Sequence, residues 1–161
     1  MKLLILGRNS YTAELYLNHN KIDLSIITLY KKKFDKEDIM KLDENSFFLK
    51  YFLDLPENFQ CSLNFIHIHE INPDLEIKIN SKLCSKLKYA FSRMKIPKNV
   101  FLSSVNSSKY ANTAYGKAKF NCEEIYREIE NSIIVRPSTI VEIDFENKLI
   151  KGGKKGQSLE S

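Results

Sequence analysis

The sequence predicts an α/β protein on a doubly wound parallel sheet with helices on both faces. Two observations carry that expectation. Apolar runs of strand length alternate with longer amphipathic stretches along the 161-residue chain. Hydrophobic content of 43% and charged content of 28% are those of a globular domain with an ordinary core.

Strands are expected near 2–7, 24–29, 46–53, 63–69, 99–103 and 132–136, in the spatial order 3-2-1-4-5-6. The run Leu3-Leu4-Ile5-Leu6 stops at Gly7-Arg8. It is shorter than the roughly 7–15 apolar residues of a signal peptide, so it reads as the first strand. Helices are expected near 10–18, 73–95 and 113–130, with a short polar element around 35–42. The helix at 73–95 has the plainest signals. Asn72 can cap it, Pro73 suits its first turn, and Asp74 and Glu76 complement its dipole. Leu75, Ile79, Leu83, Leu87, Phe91 and Met94 then recur every three to four residues as one buried stripe. After Pro137 the sequence offers a hairpin, Thr139–Ile143 with Lys148–Ile150. One domain is expected over 1–150, followed by a flexible Gly/Lys tail at 151–161.

No apolar run reaches the ~20 residues that span a bilayer, so no membrane partner is expected. Cys61, Cys84 and Cys122 are odd in number and lack a Cys-x-x-Cys pair, which reads as reduced thiols in the cytoplasm. The net charge is +5, but Arg8, Arg93, Arg127 and Arg136 are the only arginines among 25 basic residues. The lysines are scattered among acids, so the charge reads as a solvated surface and no nucleic-acid partner is assigned.

The stretch richest in chemistry is Tyr115-Gly116-Lys117-Ala118-Lys119. Residues at i and i+4 share a helix face, so Lys119 stands one turn from Tyr115. A cation there favours the phenolate and would bring the tyrosine toward neutral-pH proton transfer. The same spacing also serves merely to cover a helix face. His67 and His69 alternate onto one side of an expected strand beside Glu70. Two histidines and a glutamate are a thin set for zinc, so no metal is assigned. Glu123 and Glu124 read as surface charge, and Arg136-Pro137 as a strand end.

The order strand, Ser103-Ser104, Tyr115-Gly116-x-x-Lys119, Glu123, then a strand ending Arg136-Pro137, resembles the extended short-chain dehydrogenases. These are NAD(P)-dependent nucleotide-sugar epimerases, dehydratases and reductases. Leu3–Gly7, Phe52-Leu53-Asp54-Leu55, Phe65–His69 and Asn80 extend the likeness upstream in family order. The resemblance implies a Rossmann-like NAD(P)-binding domain with Ser104 bonding the substrate oxygen. Tyr115 is then the acid/base, and Lys119 holds the nicotinamide ribose. It further implies cofactor contacts at Gly7, Ser10 and Tyr11 in the first turn, at Asp54 beside the adenine and at His69 near the nicotinamide. Lys31, after the second strand, tilts the choice from NAD toward NADP.

The chain departs from the pattern in several places. The second and third glycines are Ser10 and Ala13, and His69-Glu70 stand where the family has small residues. Set against the resemblance, the fold is expected to lack most of the C-terminal substrate lobe. The resemblance implies a nucleotide-sugar enzyme working by hydride transfer. The departures leave open a non-catalytic Rossmann module that binds a nucleotide or serves as a subunit. Tyr89, Phe120 and Tyr126 lie off the main helix stripes, and a homodimer through 73–95 and 113–130 would cover them.

Overall fold

The computed structural model describes residues 2–7, 10, 12–13, 16–17, 25–29, 36–40, 54–55, 59–138, 142–144, 149–151 and 157–158. Leu3, Leu4, Ile5 and Leu6 are all buried, as a strand covered on both faces requires. They form β1 (Lys2–Leu6), which pairs in parallel with β2 (Ser25–Leu29) on one side and β3 (Cys61–Asn64) on the other. Parallel pairing continues through β4 (Asn99–Leu102) to β5 (Ser132–Val135). The described sheet runs β2-β1-β3-β4-β5. That is the expected order over these strands; the third strand expected at 46–53 lies outside the described residues.

Three helices are described in full: α1 (Lys36–Met40), α2 (Pro73–Met94) and α3 (Ala114–Arg127). Residues 12–13 and 16–17 are helical as well. The α2 start follows its sequence signals, with the Asn72 side chain accepting from the backbone of Asp74 and Leu75. Its end is a left-handed Lys95 whose N–H returns to Phe91 and Ser92. Helices α2 and α3 pack against each other over Leu4, Leu6 and Phe101, with Ile79, Leu83, Leu87, Phe91, Cys122 and Tyr126 in one core, whereas Leu75, expected on the buried stripe, is exposed in the first turn of α2. Leu3 and Ile5 are buried on the opposite face.

The fourth expected strand, 63–69, is corrected to 61–64. Phe65 still donates to the Leu6 carbonyl, but from Ile66 the chain leaves the sheet. Side chains then take over the backbone's bonds. Asn64 accepts from the Ile66 N–H, and Asn80 both accepts from and donates to Ile68, at 2.9 and 2.8 Å. Near the end of the chain, β6 (Glu142–Asp144) pairs antiparallel with β7 (Leu149–Lys151), close to the expected hairpin. Within the expected tail, β8 (Gln157–Ser158) adds a third strand to β7.

Candidate functional site at the carboxyl end of the sheet

Because β1, β3, β4 and β5 are parallel, Gly7, residues 65–70, Ser103-Ser104 and Arg136 all emerge at one end of the sheet. Gly7 makes the first turn with φ +81°, and a Cβ there would sit 3.0 Å from the Ile66 nitrogen. The turn is closed by the Ser10 N–H donating to the Gly7 carbonyl at 2.9 Å. The Ser10 hydroxyl accepts from the Ala13 N–H at 3.2 Å, so it acts as a helix cap.

Tyr115 stands in the first turn of α3, which Thr113 caps by accepting from the Gly116 N–H. Its phenol lies beside the Ser104 hydroxyl, which acts to lower its pKa. Its ring meets His67 edge-on at 4.6 Å between centroids and stacks on His69 at 5.9 Å. Lys119 lies one turn on, its ammonium 5.8 Å from the Tyr115 ring centroid, so the structure brings Ser104, Tyr115 and Lys119 together.

The electrostatics differ from the expectation of an acidified tyrosine. Burial raises the Tyr115 pKa and outweighs the Ser104 hydrogen bond, while the Glu76 charge raises it further. Lys119 is only 3% exposed and donates to the Leu102 carbonyl at 2.8 Å, with its ammonium over the Phe101 ring. Burial lowers its pKa. The lysine is committed to the end of β4, and the phenol stays protonated near neutrality.

Two groups that read as surface or dipole charge are inside. Glu123 is fully buried and joins three elements. It accepts from the Ser103 hydroxyl at 2.5 Å, from Arg136 Nε at 2.7 Å and from Arg127 at 3.2 Å. Burial pushes its pKa up, but the Arg136 and Ser103 bonds outweigh that and hold it low. Its place one turn beyond Lys119, on the Tyr115 face, was the available signal. Glu76 is also buried, with Oε1 2.8 Å from His67 Nε2 and Oε2 accepting the Glu70 N–H at 3.1 Å. The i, i+4 pair Glu76 and Asn80 on one face of α2 was its signal.

Of the remaining expected cofactor contacts, Asp54 is exposed at a turn, and Tyr11 and Lys31 lie outside the described residues. For a dinucleotide, the turn at Gly7 fits, since its backbone is pressed against Ile66, just beyond β3, and nothing projects from the glycine. The Tyr115 end is narrower. There Lys119 is covered, and the His69 ring, with 71% of its side chain exposed, lies over the phenol.

No family model matches the sequence, and no curated protein matches it. The likeness to known proteins is structural. Over 85% of its length the chain superposes on 52% of dTDP-4-dehydrorhamnose reductase from Yersinia enterocolitica, at 16% identity and a TM-score of 0.65. Over 84% it superposes on 52% of the UDP-Glc/GlcNAc 4-epimerase from Campylobacter jejuni, at 22% identity and a TM-score of 0.63. UDP-glucuronic acid 4-epimerase from Bacillus cereus in complex with NAD gives 14% identity and 0.59, over 84% of this chain and 56% of that one. The chain therefore has the Rossmann-type α/β fold of the extended short-chain dehydrogenase and epimerase proteins, the group its sequence resembles. It spans about half the length of the structures it matches.

Proposed function

We propose that the chain is the dinucleotide-binding part of an NAD(P)-dependent oxidoreductase or epimerase acting on a nucleotide-linked sugar in the cytoplasm. The observation that carries this reading is that Tyr115 stands beside Ser104 at the carboxyl end of the sheet, with Lys119 one turn away. Gly7 and the helix beginning at Ser10 would receive the pyrophosphate, and Lys119 the nicotinamide ribose. Bound there, the nicotinamide supplies hydride transfer. Ser104 and Tyr115 both reach toward one substrate oxygen. Tyr115, protonated near neutrality, gives that oxygen a proton, and the Ser104 hydroxyl fixes its position. A sugar needs further walls, which more chain or a second subunit would provide.

A second reading is favoured by the cover over Lys119 and the His69 ring on Tyr115: a Rossmann module that holds a nucleotide or a partner without catalysis. Titrating the chain with NADPH and NADH, followed by nicotinamide fluorescence, tests the first. The enzymatic reading expects saturable binding, tighter for NADPH. No binding of either nucleotide at millimolar concentration rejects it.

A further inference from the structure

Two imidazoles and a carboxylate converge beside Tyr115. The ligand atoms of His67, His69 and Glu76 all lie within 4.8 Å of one another. His67 Nε2 is 2.8 Å from Glu76 Oε1, and His69 Nδ1 is 3.7 Å from the same oxygen. Donors about 2.0–2.2 Å from a shared tetrahedral ion stand roughly 3.3 Å apart, so the set needs only small adjustments to close around one. We propose that His67, His69 and Glu76 form a binding site for a single divalent transition-metal ion, zinc being the best match, with a fourth position open next to Tyr115.

A plain His67–Glu76 hydrogen bond leaves one observation unexplained. The mostly exposed His69 has solvent on most sides, yet it turns Nδ1 toward the carboxylate oxygen that His67 already holds. The surroundings hold the donors in place. Asn80 grips both backbone groups of Ile68, the residue between the two histidines, and so fixes the side from which both rings project. The Glu70 N–H takes Glu76 Oε2 and leaves Oε1 for the site. Such outer bonds are what orient metal ligands. Glu76 comes from the first turn of the long helix α2, a rigid support. Two imidazoles with one carboxylate suit zinc, whereas calcium and magnesium ask for oxygen donors throughout. Three protein ligands with an open position are the composition of reactive rather than structural zinc centres.

The inference does not depend on the dinucleotide reading, because its test contains no nucleotide. The full chain, stripped with a chelator, is titrated with zinc chloride against a chromophoric competitor. The expected result is one ion per chain. In His69→Ala, whose exposed ring can be lost without opening the core, affinity falls at least about 100-fold, the upper end of what losing a mere outer-sphere partner costs. Glu76→Gln keeps the side-chain shape and one acceptor oxygen but replaces the carboxylate with a neutral amide, and it loses affinity comparably, while circular dichroism verifies that the fold persists. No stoichiometric ion in the parent protein, or equal affinity in His69→Ala, overturns the site.

Discussion

At the residue scale the candidate site turns on Tyr115 and the glycine beside it. Tyr115→Phe keeps the ring contacts with His67 and His69 and removes the phenolic hydroxyl beside Ser104. If the chain is catalytic, turnover should fall about 100-fold or more, the scale of lost acid–base catalysis, with NADPH affinity nearly unchanged. Full activity in that variant would move the chemistry elsewhere. Lys119→Ala should lower both binding and turnover. Gly116 has a different task. A Cβ there would lie 2.5 Å from the Asn106 carbonyl oxygen and 2.7 Å from the Ala111 Cβ, so the loop after β4 rests directly on α3. Ala would gain roughly 1 kcal/mol of helix propensity and lose about 1–3 kcal/mol to overpacking. The clash wins because the obstacle includes backbone, and thermal unfolding of Gly116→Ala should show a lower midpoint. A raised midpoint would show that the loop yields. The Tyr115–Lys119 spacing was legible because i, i+4 geometry fixes it. The direction of the Tyr115 shift was not, since it depends on burial and on the nearby Glu76 charge, neither of which spacing reveals.

At the element scale the sheet order was legible wherever a strand is buried on both faces, as β1 is. The exit of β3 was not. Residues 65–69 alternate apolar and polar like a strand, yet Asn64 and Asn80 satisfy the Ile66 and Ile68 backbone in place of a neighbour. A single sequence does not say which of two partners a backbone amide takes. The helices carry a second lesson. Tyr126, expected to face outward, is fully buried, stacked on Phe101 at 4.6 Å with its hydroxyl accepting from Asn64 at 2.8 Å. A homodimer through α2 and α3 therefore rests on the half-buried Tyr89 and Phe120 alone. Sedimentation at micromolar concentration should give twice the 18.8 kDa chain mass, and Tyr89→Glu should halve it. A parent protein sedimenting as one chain would remove the dimer.

At the scale of the whole molecule, two buried acid-sensitive clusters hold the carboxyl end of the sheet together. His67 joins the exit of β3 to α2 through Glu76 and to α3 through Tyr115. Glu123 joins α3 to the exits of β4 and β5 through Ser103 and Arg136. Burial lowers the His67 pKa from 6.5 to about 4, against the pull of Glu76. The unfolded chain then protonates this histidine before the folded one does, so stability is full above about pH 6.5 and drains as pH falls toward about 4. A shift of that size corresponds to roughly 3 kcal/mol. Glu123, held low by Arg136 and Ser103, adds stability that is present above its unfolded pKa and is lost as pH drops through the folded value. The two effects have the same sign and follow one another. Urea midpoints should be flat above about pH 7, fall between about pH 6.5 and 4, and fall again below. His67→Gln should flatten the upper limb and leave the lower one, because it removes the imidazole and spares the Glu123 cluster. Midpoints that hold steady down to about pH 4.5 in the parent protein would mean that His67 keeps access to water, and the linkage at this end of the sheet would fail with it.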